Sequence, residues 1–510
     1  VIDQLAFRLA PTVSPRDRVP VHAPFTGALL GQVPRMKAED IAAAAERARA
    51  AHPAWAATSL AERKQIFLRY HDLVLRHQRE LLDLVQLETG KARRHAFEEV
   101  ADTAIVARHY AVHAARYLRP EHRRSALPGL TRTRVYHHPV GVVGIIAPWN
   151  YPLSLAVTDA IPALMAGNAV LLKPDEKTPF TALLAVDLLC QAGLPPALFQ
   201  VVTGHGPELG PPLIDTVDYL SFTGSTATGR IVAAQAAARL IGCSLELGGK
   251  NPMIVLADAD LDAAVEGAVR GAFASAGQLC ISIERLYVEA PLYERFLECF
   301  VARTRALRLS PALDFSADLG SLASREQLGR VEAHIQDAVS KGAVILTGGR
   351  RRTDLGPLFF EPTILTGVVP GMLAFEEETF GPVVALAPFD SLDDVVARAN
   401  ATRYGLNASI WSTDPRRARA LATRLQAGSV NINDAYAAAW ASVDAPMGGF
   451  KESGLGRRHG AEGISRFTEA QTVALQRGGA LAPAEGVDAA RFARWMSRAL
   501  GVLRRVPGVR

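Results

Sequence analysis

Three residues of this 510-residue chain carry side chains suited to nucleophilic chemistry at a carbonyl: Cys280, Glu246 and Asn150. Cys280 lies in Gly277-Gln278-Leu279-Cys280, where a lone cysteine among apolar residues serves either as an inert core side chain or as a thiolate nucleophile. Glu246 lies in Leu245-Glu246-Leu247-Gly248-Gly249-Lys250. An acid between two leucines is held in apolar surroundings, which raise its pKa toward neutrality and suit it to general-base work. Its other reading is a buried ion pair with Lys250. Asn150 follows an apolar strand and precedes Tyr151-Pro152, placed either to cap the next helix or to donate its amide N–H to a developing oxyanion. Phe222-Thr223-Gly224-Ser225 puts a strand, a glycine turn and a helix start in succession. That order aims free N–H groups at an anion, or simply caps the helix; the spacing matches neither Gly-x-Gly-x-x-Gly nor a P-loop.

These residues need a scaffold, and the apolar pattern supplies one. Residues 39–55 and 59–87 repeat Ala, Leu, Ile and Val at helical spacing, so the N-terminal portion reads as mostly helical. Val142–Ile146, Ala169–Lys173, Phe199–Val202 and Tyr219–Phe222 are short apolar runs separated by helical stretches, one of them over Pro179–Ala192. Such alternation predicts an open, parallel α/β sheet with ligands at the carboxyl ends of its strands. A second α/β pattern follows, with strands near Met253–Leu256, Arg285–Glu289, Ala343–Leu346 and Ser429–Ile432. Two closely packed domains with a cleft between them are expected, as the length requires.

Composition excludes several classes. With 49% hydrophobic and 21% charged residues the chain is neither disordered nor collagenous. The most apolar stretch, Leu153–Leu172, is broken by Asp159, Pro162 and Gly167-Asn168, so no membrane span is expected. Val1-Ile2-Asp3-Gln4 shows no secretory pattern, and Cys190, Cys243, Cys280 and Cys299 are too scattered for a disulfide framework; a cytoplasmic protein with free thiols is expected. The net charge of +5 arises from the six arginines of residues 491–510, without which the chain carries a charge of about −1. No nucleic-acid partner is expected from such a body.

From about residue 20 to 475 the chain resembles the NAD(P)-dependent aldehyde dehydrogenase superfamily. The matching segments are Pro148-Trp149-Asn150-Tyr151-Pro152, Lys173-Pro174, Phe222-Thr223-Gly224-Ser225, Glu246-Leu247-Gly248-Gly249-Lys250, Gly277-Gln278-Leu279-Cys280, Glu378-Thr379-Phe380-Gly381-Pro382 and Pro446-Met447-Gly448-Gly449-Phe450-Lys451-Glu452-Ser453-Gly454. The resemblance implies an α/β fold: a Rossmann-like cofactor domain (1–118 and 140–248), an α/β catalytic domain (249–449) and a small β oligomerisation element (119–139 and 463–475). It also implies that Cys280 attacks the aldehyde, that Asn150 and the Cys280 N–H hold the oxyanion, and that Glu246 activates water against the thioester. No metal is required. Lys173 and Glu176 are expected at the adenine ribose, Ser225 at a phosphate, Glu378 at the nicotinamide ribose and Phe380 beside the ring. Pro148, Trp149, Gly224, Leu247 and Gly248 complete that set. Glu176 accepts from ribose hydroxyls and repels a 2′-phosphate, which favours NAD over NADP.

The local wording around Cys280 resembles a bacterial branch often labelled succinate-semialdehyde dehydrogenase. A semialdehyde needs a cation for its distant carboxylate. The two positions where that activity carries arginine hold Ala274 and Thr158 here. The walls expected around the entrance, Tyr151, Leu155, Leu279, Ile281, Tyr436 and Trp440, suit an apolar aliphatic or aromatic aldehyde. Both substrate readings stand at this point. A homodimer or homotetramer is implied. The C-terminal tail, 476–510, places Phe492, Trp495, Met496, Val502, Leu503 and Val506 opposite several arginines; it docks on another subunit or over the tunnel, or rests on an anionic membrane surface. Two other functions fit the scaffold. An acylating enzyme would typically lack the acid found as Glu246, and a non-catalytic binding protein would have lost Cys280, Glu246 or Asn150.

Overall fold

The apolar runs fold as strands buried on both faces, which is why they read as continuous rather than alternating. The computed structural model describes residues 17–125, 130–477 and 482–505. The segment Val1-Ile2-Asp3-Gln4 and Val506 lie outside these described residues. In chain order the strands are β1 (Arg18–His22), β2 (Leu29–Pro34), β3 (Glu121–Arg123), β4 (Thr131–Pro139), β5 (Val142–Ile146), β6 (Ala169–Lys173), β7 (Phe199–Val201), β8 (Tyr219–Thr223) and β9 (Gly242–Glu246). They continue as β10 (Asn251–Val255), β11 (Ile283–Glu289), β12 (Val344–Thr347), β13 (Thr363–Thr366), β14 (Val383–Phe389), β15 (Asn407–Trp411), β16 (Ser429–Ile432), β17 (Gly454–Leu455) and β18 (Thr468–Gln476).

The first sheet has the order β17-β9-β8-β5-β6-β7, parallel except for β17. The chain builds outward from β5 through β6 to β7, then returns to the other side of β5 to add β8 and β9. The direction therefore reverses between β5 and β8, the place where an open α/β sheet leaves a crevice at its carboxyl ends. Pro148-Trp149-Asn150 follows β5, Gly224-Ser225 follows β8, and Glu246 ends β9. The second sheet has the order β12-β13-β14-β11-β10-β15-β16, parallel apart from the β12–β13 pair. Cys280 precedes β11 and Glu378 precedes β14, so this sheet offers the amino ends of its strands where the first offers carboxyl ends. The fold is thus mixed α/β with a Rossmann-like parallel sheet, as expected.

Three features refine the sequence reading. A hairpin, β1–β2, precedes the N-terminal helices Ala38–Ala57, Leu60–Arg76 and Gln78–Thr89, so that region is not helical from its start. The three-stranded sheet β18-β4-β3 is present, but Gly463 belongs to the helix Gly460–Ser465, and the strand begins only at Thr468. The tail forms a helix, Ala489–Leu503, capped by Asp488 and without a buried residue; its Trp495 and Val502 stand exposed. Among the described residues no helix is long and apolar enough to cross a membrane.

Candidate active site

Asn150 is fixed by a buried ion pair that lies outside every motif. Lys91 Nζ bonds Glu99 at 2.7 Å and donates to the Asn150 carbonyl at 2.6 Å. The Glu99 carboxylate in turn accepts from the backbone N–H of Leu153 at 2.8 Å and of Ser154 at 3.2 Å. With both charges buried and matched, the loop after β5 is clamped to the helix Arg93–Tyr117. Asn150 does not cap the next helix, Ser154–Val157, whose N-cap is Leu153. Its Nδ2 instead donates to the Gln278 carbonyl at 3.1 Å, two residues before Cys280.

The Cys280 loop leaves the helix Leu261–Phe273 through three consecutive residues of positive φ: Ser275, Ala276 and Gly277. At Gly277 a Cβ would sit 2.0 Å from the Gly381 carbonyl oxygen, so the close approach of the Glu378–Pro382 segment demands glycine there. Asn251, at the start of β10, donates from Nδ2 to the carbonyls of Cys280 at 2.8 Å and Ser282 at 2.7 Å. The thiol itself is pushed up to about 12, by burial first and then by the Glu378 and Glu246 carboxylates. At neutral pH it holds its proton.

The Glu246 carboxyl lines the same cavity. Glu246 ends β9, where Leu247 N–H bonds the Ser453 carbonyl at 2.9 Å and Gly224 N–H bonds the Glu246 carbonyl at 3.0 Å. Burial raises its pKa to about 7, opposed by the positive field of Arg458. Lys250 does not neutralise it: Lys250 Nζ bonds Glu284 at 2.5 Å, so the ion-pair reading of Glu246 falls. Arg458 and Arg466 are occupied with Asp159, at 2.7 Å and 2.6 Å, and hold that carboxyl well below the usual range.

Asn150, Glu246 and Cys280 together line one cavity of about 230 Å³. Pro148, Trp149, Gly224, Ser225, Leu247, Gly248, Glu378 and Phe380 line it as well. Ser225 is the N-cap of the helix Thr226–Ala238, its Oγ accepting from Thr228 N–H at 3.2 Å, so Gly224-Ser225 caps a helix, and that helix begins at the cavity. Glu378 accepts from Gly249 N–H at 2.8 Å and is raised to about 8 by burial and by Glu284. At Gly248 a Cβ would meet the Glu378 carboxylate at 2.4 Å. Trp149 and Phe380 meet edge to face with centroids 5.5 Å apart. A helix N-terminus for phosphate, a carboxylate acceptor for hydroxyls and two aromatic rings form a donor and acceptor set that fits a dinucleotide. Lys173, the last residue of β6, and Glu176 are paired at 3.1 Å and are not among the residues lining this cavity.

All six residues expected at the substrate wall come together. Tyr151, Leu155, Leu279, Ile281, Tyr436 and Trp440 pack in one apolar cluster with Cys280, joined by Ala274, Leu406, Ala435, Ala437 and Met447. Cys280 therefore stands between an apolar wall on one side and the polar cavity on the other. Sequence reasoning missed Lys91, Glu99 and Glu284; the last accepts from Thr379 N–H at 3.0 Å and Phe380 N–H at 2.9 Å. None of the three lies in a motif, and only their contacts across the fold reveal them. Among the described residues no group of three or more His, Cys, Asp or Glu forms a metal cluster.

Comparison with known proteins supplies the family. The model of the Aldehyde dehydrogenase family matches residues 12–473. A protein of Mycolicibacterium smegmatis named "Putative succinate-semialdehyde dehydrogenase", of NADP(+) type, is 49% identical, the match covering 97% of this chain and 95% of that one. Among solved structures, an Escherichia coli NADP-dependent enzyme is similar with a TM-score of 0.87 at 38% identity, covering 90% of this chain and 95% of its own. An aldehyde dehydrogenase from Bacillus cereus, solved as its NAD+ complex, has a TM-score of 0.85 at 34% identity and covers 90% and 93%.

Proposed function

The chain belongs to the aldehyde dehydrogenase family, and from that premise we propose that it oxidises an aldehyde to a carboxylic acid through a covalent intermediate on Cys280. The observation that carries this reading is the convergence of a thiol, a carboxyl near neutrality and an amide donor on one cavity. Cys280 Sγ attacks the carbonyl carbon as its proton passes to solvent, forming a thiohemiacetal. The Asn150 amide and the Cys280 backbone N–H stabilise the oxyanion, each donor lowering the barrier by about 3 kcal/mol. Bound NAD(P) supplies the acceptor for the hydride that leaves this carbon. Glu246 takes a proton from water as the water oxygen bonds the thioester carbon; the C–S bond breaks, the acid leaves, and Glu246 returns that proton to the sulfur, which restores the thiol. Glu246 supports water, rather than a second thiol, as the acyl acceptor.

The pH profile tests Glu246. Because burial raises it to about 7, its basic form is scarce below that pH. Where thioester hydrolysis limits turnover, kcat is expected to fall about tenfold per pH unit below neutrality. A kcat profile flat down to pH 5 contradicts a base with this pKa.

Residues proposed to hold the cofactor are Lys173 and Glu176 toward the adenine ribose, Ser225 and Gly224 at phosphate, and Glu378 with Phe380 toward the nicotinamide end. Glu176 is lowered, chiefly by Lys173 against its burial, so it is anionic at neutral pH and repels a 2′-phosphate. We expect a higher kcat/KM with NAD than with NADP in paired initial-rate assays. The M. smegmatis relative is named for NADP(+), and equal or faster turnover with NADP here overturns the Glu176 argument. None of the four cysteines is disulfide-bonded, which suits a reducing, cytoplasmic compartment. The edge strand β18, with Val473 and Leu475 exposed, suits assembly into a homo-oligomer.

A further inference from the structure

A second cavity, of about 530 Å³, adjoins the apolar wall around Cys280. Arg94, Glu98, Arg270, Ala274 and Ala435 line it. Ala274 and Ala435 also belong to the cluster that contains Cys280, Tyr151 and Tyr436, so the cavity and the substrate wall share residues. Ala274 and Thr158, at the two positions where semialdehyde activity carries arginine, are both buried and uncharged. Arg270 stands one helical turn before Ala274, on the helix Leu261–Phe273, and residues four apart lie on the same helical face. The cation missing at Ala274 is present one turn earlier.

Its surroundings aim it at the wall. The guanidinium carbon of Arg270 lies 5.0 Å from the centroid of the Tyr436 ring. Arg270 Nη2 reaches Glu98 Oε1 at 3.3 Å, a long contact for an ion pair. The same carboxylate accepts from Tyr436 Oη at 3.0 Å and Tyr151 Oη at 3.3 Å. Glu98 thus ties Arg270 to two aromatic residues of the substrate wall, and two phenols share its charge. The Arg270 side chain remains 47% exposed against 14% for Glu98, so it presents its charge to the cavity. Arg94 is engaged with Asp318 at 2.9 Å.

We infer that Arg270, positioned by Glu98 and Tyr436, is the cation that receives the far carboxylate of a short aldehyde acid, making this chain selective for semialdehydes over neutral aldehydes of the same length. The guanidinium fork matches a carboxylate in two parallel hydrogen bonds and stays charged at every working pH. The inference rests on aldehyde oxidation at Cys280 and adds the substrate class to it.

Succinate semialdehyde and butanal differ at the far carboxylate and share the chain length, so they test it as a pair. For wild type, kcat/KM is expected to be higher with the semialdehyde. Arg270→Leu is expected to raise KM for succinate semialdehyde about 30-fold while butanal kcat/KM stays within about twofold, and Arg270→Lys to recover part of the loss. Retained butanal turnover shows that the variant is folded. Arg94→Leu is expected to leave the preference in place. The inference is overturned by wild type favouring butanal, by Arg270→Leu losing both substrates equally, or by Arg270→Leu keeping its semialdehyde KM. Failure of wild type to oxidise any aldehyde would instead sink the parent reading, and the inference with it.

Discussion

Replacing Cys280 by alanine is expected to abolish aldehyde oxidation, with a fall in kcat of at least about 10⁴-fold. The proposed cycle opens with a bond formed at this sulfur and closes with that bond broken. Neither Glu246 nor Asn150 can replace it, since one supplies a base and the other a hydrogen bond. The substitution removes a single atom from a half-buried side chain whose loop is held by backbone contacts, from Asn251 to the Cys280 carbonyl and from Asn150 to the Gln278 carbonyl. The fold and the dinucleotide cavity are therefore expected to persist. The measurement is the rate of reduced nicotinamide formation across an aldehyde panel. Turnover by the alanine variant within about tenfold of wild type would remove the sulfur from the mechanism.

Glu246→Gln is expected to lower steady-state turnover by about 10² to 10⁴-fold while leaving the first turnover largely intact. Glutamine keeps the shape of the side chain and cannot take a proton from water. Hydride departure precedes water attack, so a burst of reduced cofactor matching the number of active sites is expected, followed by near silence. The acid limb assigned to Glu246 should vanish from what activity remains. Loss of the burst together with turnover would show that Glu246 is needed earlier, for the thiol proton; an unchanged steady state would dismiss it as the base. Its raised pKa makes both roles chemically open, because a carboxyl near 7 accepts a proton from a thiol or from water at neutral pH.

The parts of the fold that were legible in the sequence are those whose burial is local and two-sided. Val142–Ile146 and Ala169–Lys173 stand out because a central parallel strand is apolar along its whole length. Gly242–Glu246 does not, since Gly-Cys-Ser-Leu-Glu offers one large apolar residue and is recruited into the sheet by its neighbours. The short strands Thr363–Thr366 and Asn407–Trp411 are hidden because each offers only two large apolar residues, side by side, Ile364-Leu365 and Ile410-Trp411. Cys280, Glu246 and Asn150 were visible as motifs, but their alternatives were not decidable along the chain. Lys250 lies four residues from Glu246 and yet reaches Glu284, because the Gly248-Gly249 turn sends the two side chains apart. The clamp of Lys91 and Glu99 on the Asn150 loop, and the grip of Glu98 on Arg270, depend on the helix Arg93–Tyr117 meeting both the loop after β5 and the helix Leu261–Phe273, and nothing in the spacing of those residues announces it.

The most direct test of the central claim is peptide-level mass analysis of Glu246→Gln quenched after one turnover with an aldehyde and cofactor. The account predicts that the peptide bearing Cys280 gains the mass of the acyl group, with cofactor reduced in equal amount, and that omission of cofactor prevents this thioester from forming. A burst of reduced cofactor without acyl mass on that peptide, or acyl mass on a different residue, would contradict it.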